Sequence, residues 1–124
     1  MQRARIWQFA ELVNSGIQPL QNYSLLQELG SMGIDGRVWA RRRIEGGLRA
    51  MESLLHGSDD SFLFGDSPTI ADCCLIPQLY NARRFDCSLD SFPALLRIEE
   101  HCMELEAFSG TRPINPEQTL MEAS

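Results

Sequence analysis

Gln18, Gln21 and Asn22 gather around a proline in the stretch "SGIQPLQNYS", residues 15–24. Neutral amides both donate and accept hydrogen bonds, so a wall of them suits a polar, peptide-like ligand better than charges do. Pro19 removes one backbone donor and frees a carbonyl one turn earlier, inside what otherwise scans as a helix. The same residues also fit a solvated helix face, and on spacing alone that plainer reading is the stronger. The second group with chemical reach is Arg83 and Arg84 in "YNARRFD". Two cations at the end of a helix favour its C-terminal dipole. One of them turned into a pocket would instead fork a substrate carboxylate through its planar guanidinium.

Other chemistry finds little support. Nucleophile motifs, phosphate-cradling glycine loops and paired catalytic carboxylates are not visible. Cys73, Cys74, Cys87 and Cys102 form no C-x-x-C framework, and His56 and His101 stand apart from them, so no metal site is expected. The four thiols read as buried and reduced. Arg41, Arg42 and Arg43 read as exposed or paired with nearby acids. Asp72 reads as structural, for reasons given by the element it starts.

Those groups must be carried on helices. Ile6, Phe9, Ala10, Val13, Ile17 and Leu20 recur at steps of three and four, which predicts one buried face. After Tyr23 the phase slips, and Gly30, Gly33 and Gly36 mark an open connection. A second helix is predicted from Asp35 or Gly36 to Leu55, striped by Ile44, Leu48, Met51 and Leu55. Gly46 and Gly47 weaken it by about 1 kcal/mol each unless close packing needs them. A loop with a short apolar plug, Phe62 to Phe64, leads to "SPTIADCC". There Thr69 and Asp72 have capping-box spacing, with an acid in place of glutamate. From Thr69 to Ala82 the only charge is Asp72, so this helix is apolar nearly all round and belongs at the centre, with Pro77 bending rather than ending it. A last helical region opens at "SFPALL", with Ser91 as its cap and Pro93 in its first turn. A short turn around Ala107 and Phe108 follows. No strand alternation or repeat occurs, so the expected fold is an all-α bundle of about five helices around the helix at 69–85.

Composition sets the remaining bounds. The chain has 124 residues, 44% of them hydrophobic, which is enough for one domain with a real core. A formal charge of −6 argues against general nucleic-acid binding. All the basic residues are arginine. No run is long and apolar enough to span a membrane, and the N-terminus lacks a signal-peptide pattern, so a cytoplasmic location is expected.

Three stretches, "RARIWQFAELVNSGIQPLQNYS", "GDSPTIADCCLIPQLYNARRF" and "FPALLRIEE", closely resemble the C-terminal domain of zeta-class glutathione transferases, the maleylacetoacetate isomerases. The likeness runs from Arg3 to Pro116. The Thr-x-Ala-Asp capping box is shared by glutathione transferases generally, whereas "GIQPLQN" with "PQLYNARRF" is specific to the zeta class. The resemblance implies a helical domain over 1–116, a frayed tail over 117–124, and a thioredoxin-like, glutathione-binding half that this chain does not contain. It implies glutathione as cosubstrate and a small diacid as substrate, isomerised from the cis to the trans alkene in tyrosine breakdown. Glutathione contacts fall on Gln18, Asn22, Tyr23 and Ser24. Tyr23 replaces a leucine often found there, which leaves its backbone to make the contact. The substrate-binding arginine falls on Arg84, before Phe85, and Arg83 receives no role. The break at Pro19 would let the wall bend beside the glutathione site.

The family's Ser-Ser-Cys motif, whose serine stabilises the thiolate, has no counterpart here. The chain is therefore expected to be a truncated polypeptide or an incomplete reading frame, without a catalytic residue of its own and inactive alone. A homodimer through the first two helices is expected for the intact protein. The principal alternative is a non-catalytic, transferase-like helical module for dimerisation or assembly; a free-standing ligand-binding bundle has less support. Maleyl compounds and halogenated acids both stay open as substrates.

Overall fold

The first apolar stripe folds as α1 (Gln2–Asn14), which ends before the proline rather than at it. The chain then turns through Ser15 to Ile17 and makes a single 3-10 turn, Gln18–Leu20, with Pro19 near its start. Residues preceding proline avoid the α region, and the ring supplies no N–H, so an α-helix continued through Gln18 would lose both geometry and a bond. The computed structural model describes residues 1–113; the expected domain end at 116 and the tail over 117–124 lie outside them.

The phase slip at Tyr23 marks a new helix, α2 (Tyr23–Ser31), capped by the Asn22 side chain, which accepts from the Leu25 N–H at 2.9 Å. Next comes α3 (Gly36–Leu54), capped by Asp35. Then α4 (Ile70–Arg84) carries the expected capping box, with the Asp72 carboxylate accepting from the Thr69 N–H at 2.8 Å. The last two are α5 (Pro93–Met103) and the single turn α6 (Glu106–Ser109). Strands are absent among the described residues, and no described helix is long and apolar enough to cross a membrane.

Central α4 packs against α1, α3 and α5. Leu75 and Leu79 from α4, Ile44, Leu48 and Met51 from α3, and Leu95 and Ile98 from α5 are fully buried between them. The plug is real: Phe62 and Leu63 are buried, and Phe64 meets Phe9 edge-on at 5.8 Å.

Two expectations need correction. Ser91 does not cap α5. Phe92 occupies that position without a side-chain bond. The carboxylate of Glu52, on α3, takes the Ala94 N–H at 2.8 Å and the Leu95 N–H at 3.0 Å. A carboxylate brought in by tertiary packing satisfies two free donors and the positive end of the helix dipole together. Nor is α4 buried all round. Ile70, Cys73 and Pro77, one turn apart in succession, lie exposed on one side of it, so Cys73 is an exposed thiol rather than a core one. Arg41 is paired with a nearby acid, as read: its Nη2 lies 3.9 Å from the Asp86 carboxylate, and its Nε donates to the Phe85 carbonyl at 3.0 Å.

The two adjacent glycines of α3 differ sharply. A Cβ on Gly47 would meet Cδ1 and Cγ1 of the fully buried Ile17, each at 2.4 Å, whereas one on Gly46 would meet nothing within 4 Å. Gly47 is thus where the turn after α1 docks on α3. Gly46→Ala is expected to stabilise the chain by roughly 0.5–1 kcal/mol through helix propensity. Gly47→Ala is expected to destabilise it by about 1–3 kcal/mol through overpacking against Ile17. Urea unfolding of the two variants beside the parent chain reads both signs, and equal shifts would refute the packing assignment.

Candidate functional site

The turn at Gln18–Leu20 and the C-terminal end of α4 face each other across a cleft of about 630 Å³, lined among others by Gln18, Gln21, Asn22, Tyr23, Arg37 and Arg84. Positions 18 and 84 therefore share one cavity. Three separate local features bring them there.

The amide wall is braced from behind. Gln78 is fully buried on α4, two turns above Arg84. Its Oε1 accepts from Nε2 of Gln18 and from Nε2 of Gln21, each at 3.1 Å, and its own Nε2 donates to Gln21 Oε1 at 3.1 Å. Gln21 is itself buried. The solvated-face reading thus holds for Gln18 and Asn22, which are exposed, and fails for Gln21. A buried primary amide requires partners, and two glutamines that pair reciprocally satisfy each other while a third is held at the surface. Outside this triad, the indole N–H of Trp39 on α3 donates to the Leu20 carbonyl at 3.1 Å and ties down the far end of the turn.

The start of α2 forms the next part of the wall. The Asn22 oxygen is committed to capping, while the first-turn amides of Tyr23 and Ser24 are of the kind a helix leaves without intrahelical acceptors. Tyr23 lines the cleft, 64% exposed, and its hydroxyl accepts from Gln27 Nε2 at 2.9 Å. Ser24 is exposed in the same turn and does not contribute to the cleft lining.

The two arginines left open by the sequence separate cleanly. Arg83 forks Glu99 of α5 with bonds of 2.6 and 2.7 Å, and that hydrogen bonding holds its guanidinium above the usual arginine range. Arg84 turns into the cleft, half-buried, and its Nε is buried with no hydrogen-bond partner among the described residues. A buried cationic donor without an acceptor is costly. The part of the guanidinium that lines the cleft offers charge-assisted donors to an anionic group there.

Cysteine chemistry does not enter this cleft. Burial pushes the Cys87 thiol up to about 11 and the Cys102 thiol up to about 12, so both stay protonated near neutrality. No group of three or more His, Cys, Asp or Glu among the described residues is placed to hold a metal ion.

Sequence reasoning passed over Gln78, Trp39, Arg37 and Asp86. Gln78 alone carried a usable signal, as an amide at a core-facing step of an otherwise apolar helix whose partner had to come from another amide-rich segment.

The chain is 39% identical over 113 residues to probable maleylacetoacetate isomerase 1 of Drosophila melanogaster, covering 91% of this chain and 45% of that protein. It superposes with a TM-score of 0.83 and 46% identity on the maleylacetoacetate isomerase of Anaeromyxobacter dehalogenans 2CP-1, a structure with dicarboxyethyl glutathione and citrate bound in its active site; 87% of this chain and 51% of that one are covered. The maleylpyruvate isomerase of Pseudomonas aeruginosa PAO1 gives a TM-score of 0.82 at 40% identity, over 94% of this chain and 62% of that one. The chain thus spans about half the length of the relatives it matches. The family described as glutathione S-transferase, C-terminal domain, matches residues 3–97, with the amide turn, the capping box and Arg84 all inside that span. This chain belongs to the glutathione S-transferase C-terminal domain family.

Proposed function

We propose that the chain supplies the substrate-side wall and part of the glutathione site of a glutathione-dependent maleylacetoacetate cis–trans isomerase. The observation that carries this reading is that Arg84 lines the same cleft as the amide wall of Gln18, while its neighbour Arg83 is spent on Glu99. In the reaction, glutathione thiolate adds to one carbon of the cis double bond and the pair of electrons moves onto the conjugated carbonyl. The resulting single bond rotates, and expulsion of the thiolate restores the alkene in the trans form. Arg84 holds a substrate carboxylate through this sequence. Gln18, Asn22 and the backbone amide of Tyr23 meet the peptide and carboxylate groups of glutathione, a role for which uncharged amides and a helix N-terminus are suited, while Ser24, off the cleft lining, stands next to that contact. The thiolate itself is stabilised from a thioredoxin-like half. In this reading the protein works in tyrosine breakdown in the cytoplasm, as a homodimer.

Two proteins test the proposal. The 124-residue chain alone, given glutathione and maleylacetoacetate, is expected to show no isomerisation above the background of glutathione itself. A chimera that joins this chain to the thioredoxin-like half of the Anaeromyxobacter enzyme, in place of the matched half, is expected to isomerise. A chimera that is folded and binds glutathione yet leaves the substrate in its cis form would overturn the reading, as would activity from the chain alone.

A further inference from the structure

The C-terminal end of α4 is closed by a Schellman turn. The Asp86 N–H donates to the Arg83 carbonyl at 3.1 Å, and the Cys87 N–H to the Ala82 carbonyl at 3.0 Å. Asp86 sits in the left-handed region at φ 58°, where glycine is the usual occupant because a Cβ is disfavoured. Such a turn leaves the carbonyls of Arg84 and Phe85 without intrahelical partners. Both are taken by arginines one turn apart on α3. Nη2 of Arg37 donates to the Arg84 carbonyl at 2.9 Å and to the Asp86 carboxylate at 2.8 Å, and Nε of Arg41 takes the Phe85 carbonyl. The Arg37 guanidinium also lies 5.7 Å from the centre of the Phe85 ring. An aspartate where glycine would be easier thus provides the second acceptor that pins Arg37 across the helix end.

What is pinned is the backbone from which Arg84 projects. The Nε of Arg84 has no partner among the described residues, so the placing of its fork depends on residues 84–86. We propose that Arg37 and Asp86, backed by Arg41, form a clamp that positions Arg84 for carboxylate binding, and that Asp86 is retained in a strained conformation for that purpose. The proposal rests on the reading of Arg84 as the carboxylate holder.

The test titrates the 124-residue chain with maleate, a stable diacid, and follows the Arg84 Nε–H resonance by NMR. Asp86→Asn and Asp86→Gly both remove a negative charge that sits against Arg37 of the cleft lining, so a purely Coulombic account has them bind a dianion more tightly. The clamp has them bind maleate about three- to tenfold more weakly, the range for losing a charge-assisted hydrogen bond that acts through position. Asp86→Gly also relieves the left-handed strain, so its thermal stability is expected to match or exceed that of the parent chain, which separates lost positioning from a damaged fold. Either variant binding maleate as tightly as the parent, or more tightly, overturns the clamp. A parent chain whose Arg84 resonance ignores maleate overturns the underlying reading of Arg84, a failure seen in a different protein and so distinguishable.

Discussion

Arg84→Gln, placed in the chimera with the Anaeromyxobacter thioredoxin-like half, is expected to lower kcat/KM for maleylacetoacetate by roughly 100-fold, equivalent to about 2.7 kcal/mol of lost binding. Glutamine keeps a donor and most of the length of the side chain but loses the charge and the fork, the two properties that make guanidinium–carboxylate pairs strong. The carboxylate it grips keeps its charge throughout addition, rotation and elimination, so ground state and transition state are held alike. The loss should therefore appear in KM, with kcat little changed. The KM for glutathione is expected to move by less than about threefold, because the amide wall is braced through Gln78 rather than through Arg84. Arg84→Lys should recover part of the loss by restoring charge without the fork. Arg83→Gln is the control. Its guanidinium is engaged with Glu99 and is about half exposed, so its loss should leave both KM values unchanged and cost at most about 1 kcal/mol of stability. Steady-state kinetics on the four proteins decides the matter. A large effect at Arg83, or an unchanged diacid KM in Arg84→Gln, would reverse the assignment of the two arginines.

The contrast between those neighbours shows what the sequence could and could not convey. Helix existence was legible because it is written in local periodicity. The stripe at Ile44–Leu55 folds as read, while the one read from Ile6 to Leu20 is α-helical only to Asn14, its last members Ile17 and Leu20 falling in the turn around Pro19. The capping box at Thr69 and Asp72 was legible for the same reason, since both partners lie within one turn. The direction of Arg83 and Arg84 was not legible in periodicity, and only the family resemblance singled out Arg84. Adjacent helical residues differ by about 100° around the axis, and which one meets a cleft depends on Glu99, sixteen residues further on. The cap of α5 failed for a related reason. Its acceptor comes from Glu52, a residue that packing rather than proximity in sequence brings to the helix end. The amide cluster lay between these cases: its polarity was visible at once, but the burial of Gln21 depends on Gln78, fifty-seven residues away.

Asp72→Ala is expected to have the largest effect on stability, a loss of roughly 3–5 kcal/mol, the range for breaking a buried charged network. Asp72 is fully buried and joins three parts of the molecule. Its Oδ2 takes the Thr69 N–H at 2.8 Å and the Thr69 hydroxyl at 3.3 Å, which starts α4. Its Oδ1 takes the Leu63 N–H at 3.0 Å, which holds the apolar plug against the core, and meets the Cys102 thiol of α5 at 3.9 Å. Alanine would strand the buried Leu63 N–H and the half-buried Thr69 N–H, and a buried donor left without a partner costs about 1–3 kcal/mol. Thr69→Ala removes only one side of the cap and should cost about 1 kcal/mol. Asp72→Asn keeps the shape but turns an N–H toward donors, so its loss should fall between the two. Since domains of this size are stable by only about 5–15 kcal/mol, the alanine variant should unfold at much lower urea than the parent. The loop before α4 should open first, because the Leu63 bond is the tether it loses, and limited proteolysis should cut between residues 57 and 68 before cutting elsewhere. A urea midpoint close to that of Thr69→Ala would mean that the carboxylate serves only as a local cap, and that the plug is held by Phe62 and Leu63 packing alone.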